Sequence, residues 1–289
     1  MTRTLKLLSL LLCACVWNSS AWAGDGITVG FPEFDKSMNV LASSHPAAQF
    51  LRRAVTGRLA DAPQGGSFRL LLSDSMTSSS DRLVWSFRIS PLATFSDGVP
   101  VLASDVEYSL DRCSKLGALN GVRSIDSEVE SSAGRSVQWV RIHLDAPSGT
   151  LLDEVSRCPV LARRASLIFG KDLGEGTNVV SAGEYAFSDL KMGREIALRR
   201  LRSGASQAVA AGPDVLNLRS FKDSSAALAA LRAGTIDAFL SQDQAVIERA
   251  KKDETLLAQQ CPIYTVILRK GLKIACPDQI IASEIRYLS

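Results

Sequence analysis

Side chains with reactive or ligating atoms are few here: six cysteines and two histidines in 289 residues. His45 and His143 lie far apart, and no C-x-x-C pair occurs, so the spacing of a zinc site is missing and neither metal nor cofactor is expected. The chain has no G-x-S-x-G elbow, no P-loop, no G-x-G-x-x-G and no H-E-x-x-H. Gly174-Glu175-Gly176 sits in a polar stretch with no helical pattern behind it and reads as a turn. Catalysis is therefore not expected, and binding is. Ser43, Ser44 and His45 open a predicted helix, where free amides favour a carboxylate; the plainer alternative is that Ser44 or His45 only caps that helix. Tyr185 is a second candidate contact, or a core residue.

The N-terminus, MTRTLKLLSLLLCACVWNSSAWAG, has a basic start (Arg3, Lys6), an apolar run from Leu7 to Val16, and small residues at Ala21 and Ala23. This is the pattern of a secretory signal peptide over 1–23, cleaved before Gly24. The run is shorter than the roughly 20 residues a membrane span needs. Losing Arg3 and Lys6 lowers the net charge from +3 to +1, which gives no electrostatic case for nucleic acid or an anionic membrane. Cys113, Cys158, Cys261 and Cys276 then remain, an even number in an oxidising compartment. Of three possible pairings, Cys113–Cys158 with Cys261–Cys276 is preferred; four buried thiols are the alternative.

These residues need a scaffold, and the hydrophobic periods supply one. ITVGF (27–31) reads as a buried strand, and Ser43–Leu59 as a helix with Pro46 in its first turn. RLVWSFRIS (82–90) and SVQWVRIHL (136–144) alternate like half-buried strands. His143 falls on the outward face of the second. Ser104-Asp105-Val106-Glu107 reads as a capping box between Ser104 and Glu107. GTLLDEVSRCPVLARRA reads as a helix broken by Pro159. EYAFSDL and REIALRRL form a strand pair, DVLNLRSF a strand, DSSAALAALRAGT a helix, IDAFL a strand and QAVIERAKKDETLLAQQ an amphipathic helix. The mixture predicts an α/β (α+β mixed) fold.

One block is more specific. WSFRISPLATFSDGVPVLASDVEYSLDR (85–112) resembles the signature of bacterial extracellular solute-binding proteins of family 5, the oligopeptide- and dipeptide-binding components of ABC importers. Phe95, Asp97, Gly98, Pro100, Ala103, Asp105, Val106, Ser109 and Arg112 carry the pattern. SAGEYAF (181–187) resembles the family's Gly-Thr-Gly-Pro-Tyr strand through Gly183 and Tyr185, with Ala182 and Glu184 departing. Leu231, Gly234, Ile236 and Asp237 resemble its Ala-Leu-x-x-Gly-x-Ile-Asp unit. The resemblance runs from about Gly26 to about Leu268.

It implies a periplasmic-binding-protein-like first lobe with an inserted mixed subdomain and a second lobe largely absent: lobe I from 24–65 and 173–245, the insertion from 66–172, and a C-terminal helix and hinge-like strand from 246–289. It implies a periplasmic solute-binding protein that takes peptides or similar small solutes and meets ABC permease subunits, with Ser43–His45 along the solute. A non-transport interaction module that docks another periplasmic protein is the alternative. A homodimer through the face the second lobe would cover is a further expectation.

Overall fold

The computed structural model describes residues 26–32, 39–43, 45–61, 68–132, 135–191, 193–201, 213–261, 265–273 and 286–287. The expected signal peptide, Ser44 and Cys276 lie outside them.

At the centre lies β1 (Gly26–Pro32), flanked in parallel by β10 (Val215–Phe221) and β11 (Ala238–Ser241). The sheet widens with antiparallel β9 (Glu195–Arg200) and β8 (Tyr185–Lys191) on one side, and β13 (Thr265–Arg269) and β12 (Leu256–Gln260) on the other. The seven strands run in the order β12-β13-β11-β1-β10-β9-β8.

Side chains alternate between two cores, as a period of two requires. Ile27, Val29, Phe31, Ala238, Leu240, Val266 and Leu268 join one core with Phe50 and Leu51 of α1 (Pro46–Val55). Phe31 and Phe50 meet edge to face with centroids 5.5 Å apart. Phe239 and Ile267 point the other way, against α5 (Ser224–Arg232) and α6 (Gln244–Lys251). Full burial of each such large apolar side chain is worth about 2 kcal/mol, so α1 is held by packing rather than by propensity.

A second, antiparallel sheet has the order β4-β5-β7-β6, from β4 (Ser73–Ser78), β5 (Val84–Ile89), β7 (Arg135–Leu144) and β6 (Val122–Ser132). Phe87, Ile89, Val140, Ile142 and Leu144 pack with Val106 and Leu110 of α2 (Ala103–Lys115). Two short helices follow, α3 (Leu151–Arg157) and α4 (Arg163–Phe169), on either side of Pro159.

The chain passes between the sheets at one place. After α1 it runs through β2 (Ala60–Asp61) and β3 (Arg69–Leu70), which pair with each other. It returns just before β8, where the amides of Ala182 (3.2 Å) and Gly183 (3.1 Å) both donate to the carbonyl of Val55. The backbones touch: a Cβ on Gly57 would lie 2.7 Å from the Ala182 carbonyl oxygen, and one on Gly183 would collide with that of Ala54.

Two expectations need correction. The start of α2 is held by Asp105, not by a Ser104–Glu107 box. The helix begins at Ala103, so Asp105 stands at its third position and accepts from the Leu102 amide at 3.0 Å. Its other oxygen accepts from the Arg163 amide at 2.8 Å, while Glu107 meets Ser127. The predicted helix over QAVIERAKKDETLLAQQ is α6 followed by strand β12. Asp253 turns the chain by accepting from the Thr255 amide (3.1 Å) and hydroxyl (2.6 Å), and LLAQQ then pairs with β13.

Candidate ligand-binding site

In sheets with parallel central strands, ligands lie beyond the carboxyl ends of those strands. Here β1, β10 and β11 end together. The connection after β11 is shaped by polar side chains: Ser241 meets Ser224 at 3.2 Å and accepts from the Asp243 amide at 3.1 Å. Asp223 caps α5 through Ala226 (2.7 Å), and Asp243 caps α6 through Ala245 (2.9 Å) and Val246 (3.2 Å). Both helix N-termini thus spend amides on their own caps.

The connection after β1 carries the predicted triplet. His45 is the N-cap of α1; its Nδ1 accepts from the Ala47 amide at 3.1 Å. That bond assigns the proton of the neutral ring to Nε2, leaving a donor. Ser43 Oγ accepts from the His45 amide at 3.1 Å. The capping role weighed for this segment is therefore present.

Tyr185 starts β8 and packs in the same core as Ala47 and Phe50 of α1. It is buried, and its hydroxyl donates to the Pro213 carbonyl at 2.9 Å. Burial pushes its phenol further up, which keeps it a neutral donor.

His143, half-buried on β7, pairs with Asp126 at 2.6 Å across the sheet. No group of three or more His, Cys, Asp or Glu able to hold a metal occurs among the described residues. Cys113 on α2 and Cys158 after α3 are joined by a disulfide, with Cα atoms 6.0 Å apart. Cys261 is also disulfide-bonded.

One charged cluster escaped the sequence reading. At the crossing between the sheets, buried Asp61 receives Arg53 at 2.7 Å, Arg69 at 2.9 Å and Arg58 at 3.2 Å. Burial opposes ionisation of Asp61, but Arg58, Arg53 and Arg69 outweigh it and hold its carboxyl below the usual range. Burial and the neighbouring Arg53 pull Arg58 down to about 10. Glu184, on the returning segment, is raised to about 7 by burial, against the pull of Arg58, Arg200 and Arg69. The i, i+3 spacing of Arg58 and Asp61 was the only available signal, and it is common on any surface.

The motif residues explain themselves structurally. Asp237 straps β1 to the sheet: its carboxylate accepts from the Thr28 amide at 2.9 Å, its own amide donates to the Thr28 carbonyl at 2.8 Å, and it pairs with Arg269. Phe95 is buried, with the Arg164 guanidinium 4.9 Å above its ring, and Asp97 pairs with Arg164. Phe95, Asp97 and Asp105 of the signature thus tie the strand-to-helix corner to Arg163 and Arg164.

This sheet order with its inserted antiparallel unit defines a periplasmic-binding-protein-like fold. Residues 56–271 match the family described as bacterial extracellular solute-binding proteins, family 5 Middle, and the chain belongs to that family. Solved structures agree on the fold. MoaA of A. tumefaciens R10, in complex with mannopinic acid, is 20% identical with a TM-score of 0.66, covering 82% of this chain and 49% of its own. NikZ of Campylobacter jejuni, with Ni(L-His), is 22% identical with a TM-score of 0.64, covering 81% and 47%. AppA of Bacillus subtilis, with a nonapeptide, is 20% identical with a TM-score of 0.63, covering 82% and 47%. The chain thus spans about half the length of these proteins. No curated protein matches it in sequence. The family is one of binding proteins rather than enzymes and is extracellular or periplasmic. No helix among the described residues is long and apolar enough to cross a membrane.

Proposed function

We propose that this protein is the periplasmic solute-binding component of an ABC-type importer for peptides or similar small solutes. The family match over 56–271 carries this reading. The solutes held by related folds, a nonapeptide, mannopinic acid and a nickel–histidine complex, are consistent with it. The Nε2–H of His45 suits an acceptor such as a carboxylate, and Ser43, whose hydroxyl meets the His45 amide, would act with it. In this reading 24–65 with 173–245 form the first lobe, 66–172 the insertion, and 246–289 the closing helix and hinge-like strand. Export follows cleavage before Gly24; mass spectrometry of the exported protein checks that terminus.

A thermal melt with and without a mixed short-peptide pool tests the function. Ligand at about 100 times its Kd adds about 2.7 kcal/mol, a shift of several degrees at about 2–4 °C per kcal/mol. An upward shift supports capture. A cooperative melt that peptides leave unmoved overturns it in favour of a second reading, a module docking another periplasmic protein. The internal pairing of the Ser43–His45 caps favours that reading, because it leaves fewer backbone groups for a ligand. Co-purification with one periplasmic protein, rather than with permease subunits, would establish it. Sedimentation across the micromolar range tests the expected homodimer.

A further inference from the structure

The segment 39–45 borders the proposed solute site, and two side chains outside the Ser-Ser-His triplet set its shape. Asn39 Oδ1 accepts from the amides of Leu41 (2.9 Å) and Ala42 (3.0 Å), closing a tight local turn. Asn39 Nδ2 donates to the Leu173 carbonyl (3.1 Å) and the Glu175 carboxylate (3.0 Å), tying that turn to the segment that leads into β8. From α1, Arg52 reaches back with Nη1 to the carbonyls of Leu41 (3.0 Å), Val40 (3.3 Å) and Ser43 (3.5 Å). Among the described residues no carboxylate pairs with Arg52, unlike Arg53 beside it. A half-buried guanidinium whose Nη1 serves three carbonyls holds backbone.

We propose that Asn39 and Arg52 are positioning residues for peptide capture: together they hold Asn39–Ser43 in the one conformation that presents Ser43 and His45 to the solute. This rests on the solute-binding reading above. The turn's own amides and carbonyls are largely consumed by these two side chains, so recognition along this segment falls to the hydroxyls and the imidazole.

Amide-resolved hydrogen exchange and peptide binding on the purified protein test this together. Asn39→Ala should speed exchange at Leu41 and Ala42 about tenfold, the loss of one hydrogen bond each. Asn39→Asp combined with Glu175→Gln keeps an acceptor oxygen for those amides and restores a donor–acceptor pair with residue 175, and should leave the amides within about threefold. Arg52→Met cannot grip the carbonyls and should speed exchange at Ser43 and His45. Affinity for an equimolar pool of tri- to nonapeptides should fall about tenfold in Asn39→Ala and Arg52→Met and be rescued in Asn39→Asp with Glu175→Gln. The ligand-free melts should stay within about 3 °C of wild type, the scale of one kcal/mol. Unchanged exchange, or equal affinity in Asn39→Ala and wild type, overturns the positioning role while leaving capture intact. A wild type that ignores the pool, with the exchange pattern as expected, overturns capture and with it this role.

Discussion

The Arg58 guanidinium stands 3.2 Å from the Asp61 carboxylate, and the two side chains are only 8% and 1% exposed. Asp61 is the shared anion of three arginines. Removing it leaves those cations facing one another with little water to screen them. Asp61→Ala should therefore cost about 3–5 kcal/mol, the cost of breaking a buried pair from one side. Arg69→Ala, at the more exposed member, should cost less. Urea denaturation of both variants checks the order.

The raised Glu184 gives a pH dependence of definite sign. Its folded value, about 7, exceeds its ordinary 4.5, so the native state binds the proton more tightly than the unfolded chain. Its contribution is fully present below about pH 4.5 and is lost as pH rises through about 7, by at most about 3 kcal/mol. Burial raises this value; Arg58, Arg200 and Arg69 pull against that rise, and Asp61 adds to it. Melts from pH 5 to 8 should show this loss in wild type and a flatter profile in Glu184→Gln. Identical profiles would refute the assignment.

Asp61 works in the opposite direction. Its folded value lies below the ordinary 3.8, so its contribution is present above that pH and disappears as pH falls through the lowered value. Wild type should lose stability below pH 4 more steeply than Asp61→Asn, which equilibrium unfolding at pH 2–5 measures.

Gly57 and Gly183 lie where the two crossing segments touch. A methyl at Gly57 would press on Leu72 and on the backbone at Ala182. The backbone cannot yield without moving the sheets apart. Gly57→Ala and Gly183→Ala should each destabilise by about 1–3 kcal/mol. Gly149→Ala, which meets nothing within 4 Å, should sit within about 0.5 kcal/mol of wild type.

The Cys113–Cys158 bond closes a separation of 45 residues. Chain entropy values such a loop at up to about 4 kcal/mol. Cys113→Ser with Cys158→Ser should lower stability by about 2–4 kcal/mol, and a reducing agent should shift the wild-type melt towards that of the variant.

Much of the scaffold was legible because it rests on local periodicity. Val84–Ile89 alternates, α1 shows its apolar stripe, and Asp223 and Gly234 bracket α5. The readings that failed did so where distant contacts outrank local ones. LLAQQ carries a helical pattern but pairs with β13, since strand pairing at a sheet edge is invisible from one segment. Ser104 is a good capping residue, yet Asp105 also serves the Arg163 amide, 58 residues away. Strand β6 was missed because VRSIDSEVESS is polar along most of its length. The candidate site was legible only in part. The triplet's place at the helix start could be read, but its dependence on Asn39 and Arg52 could not, because both look like solvated surface. Tyr185, read as a candidate contact or a core residue, is buried with its hydroxyl on the Pro213 carbonyl.

The single Val55 carbonyl that receives both Ala182 and Gly183 has an architectural meaning. The 126 residues from 56 to 181, which include the proposed 66–172 insertion and its two connecting segments, leave and rejoin α1 beside one peptide group, like a cassette plugged into a socket. Loop closure itself would tolerate a replacement cassette, since it costs only about 0.6 kcal/mol per doubling of length, but the cassette would also have to replace Asp61, which pairs with Arg53, and the 173–175 segment that Asn39 holds. Exchange of the whole unit for one that restores those contacts is thus open to protein engineering in a way that trimming any single strand of either sheet is not.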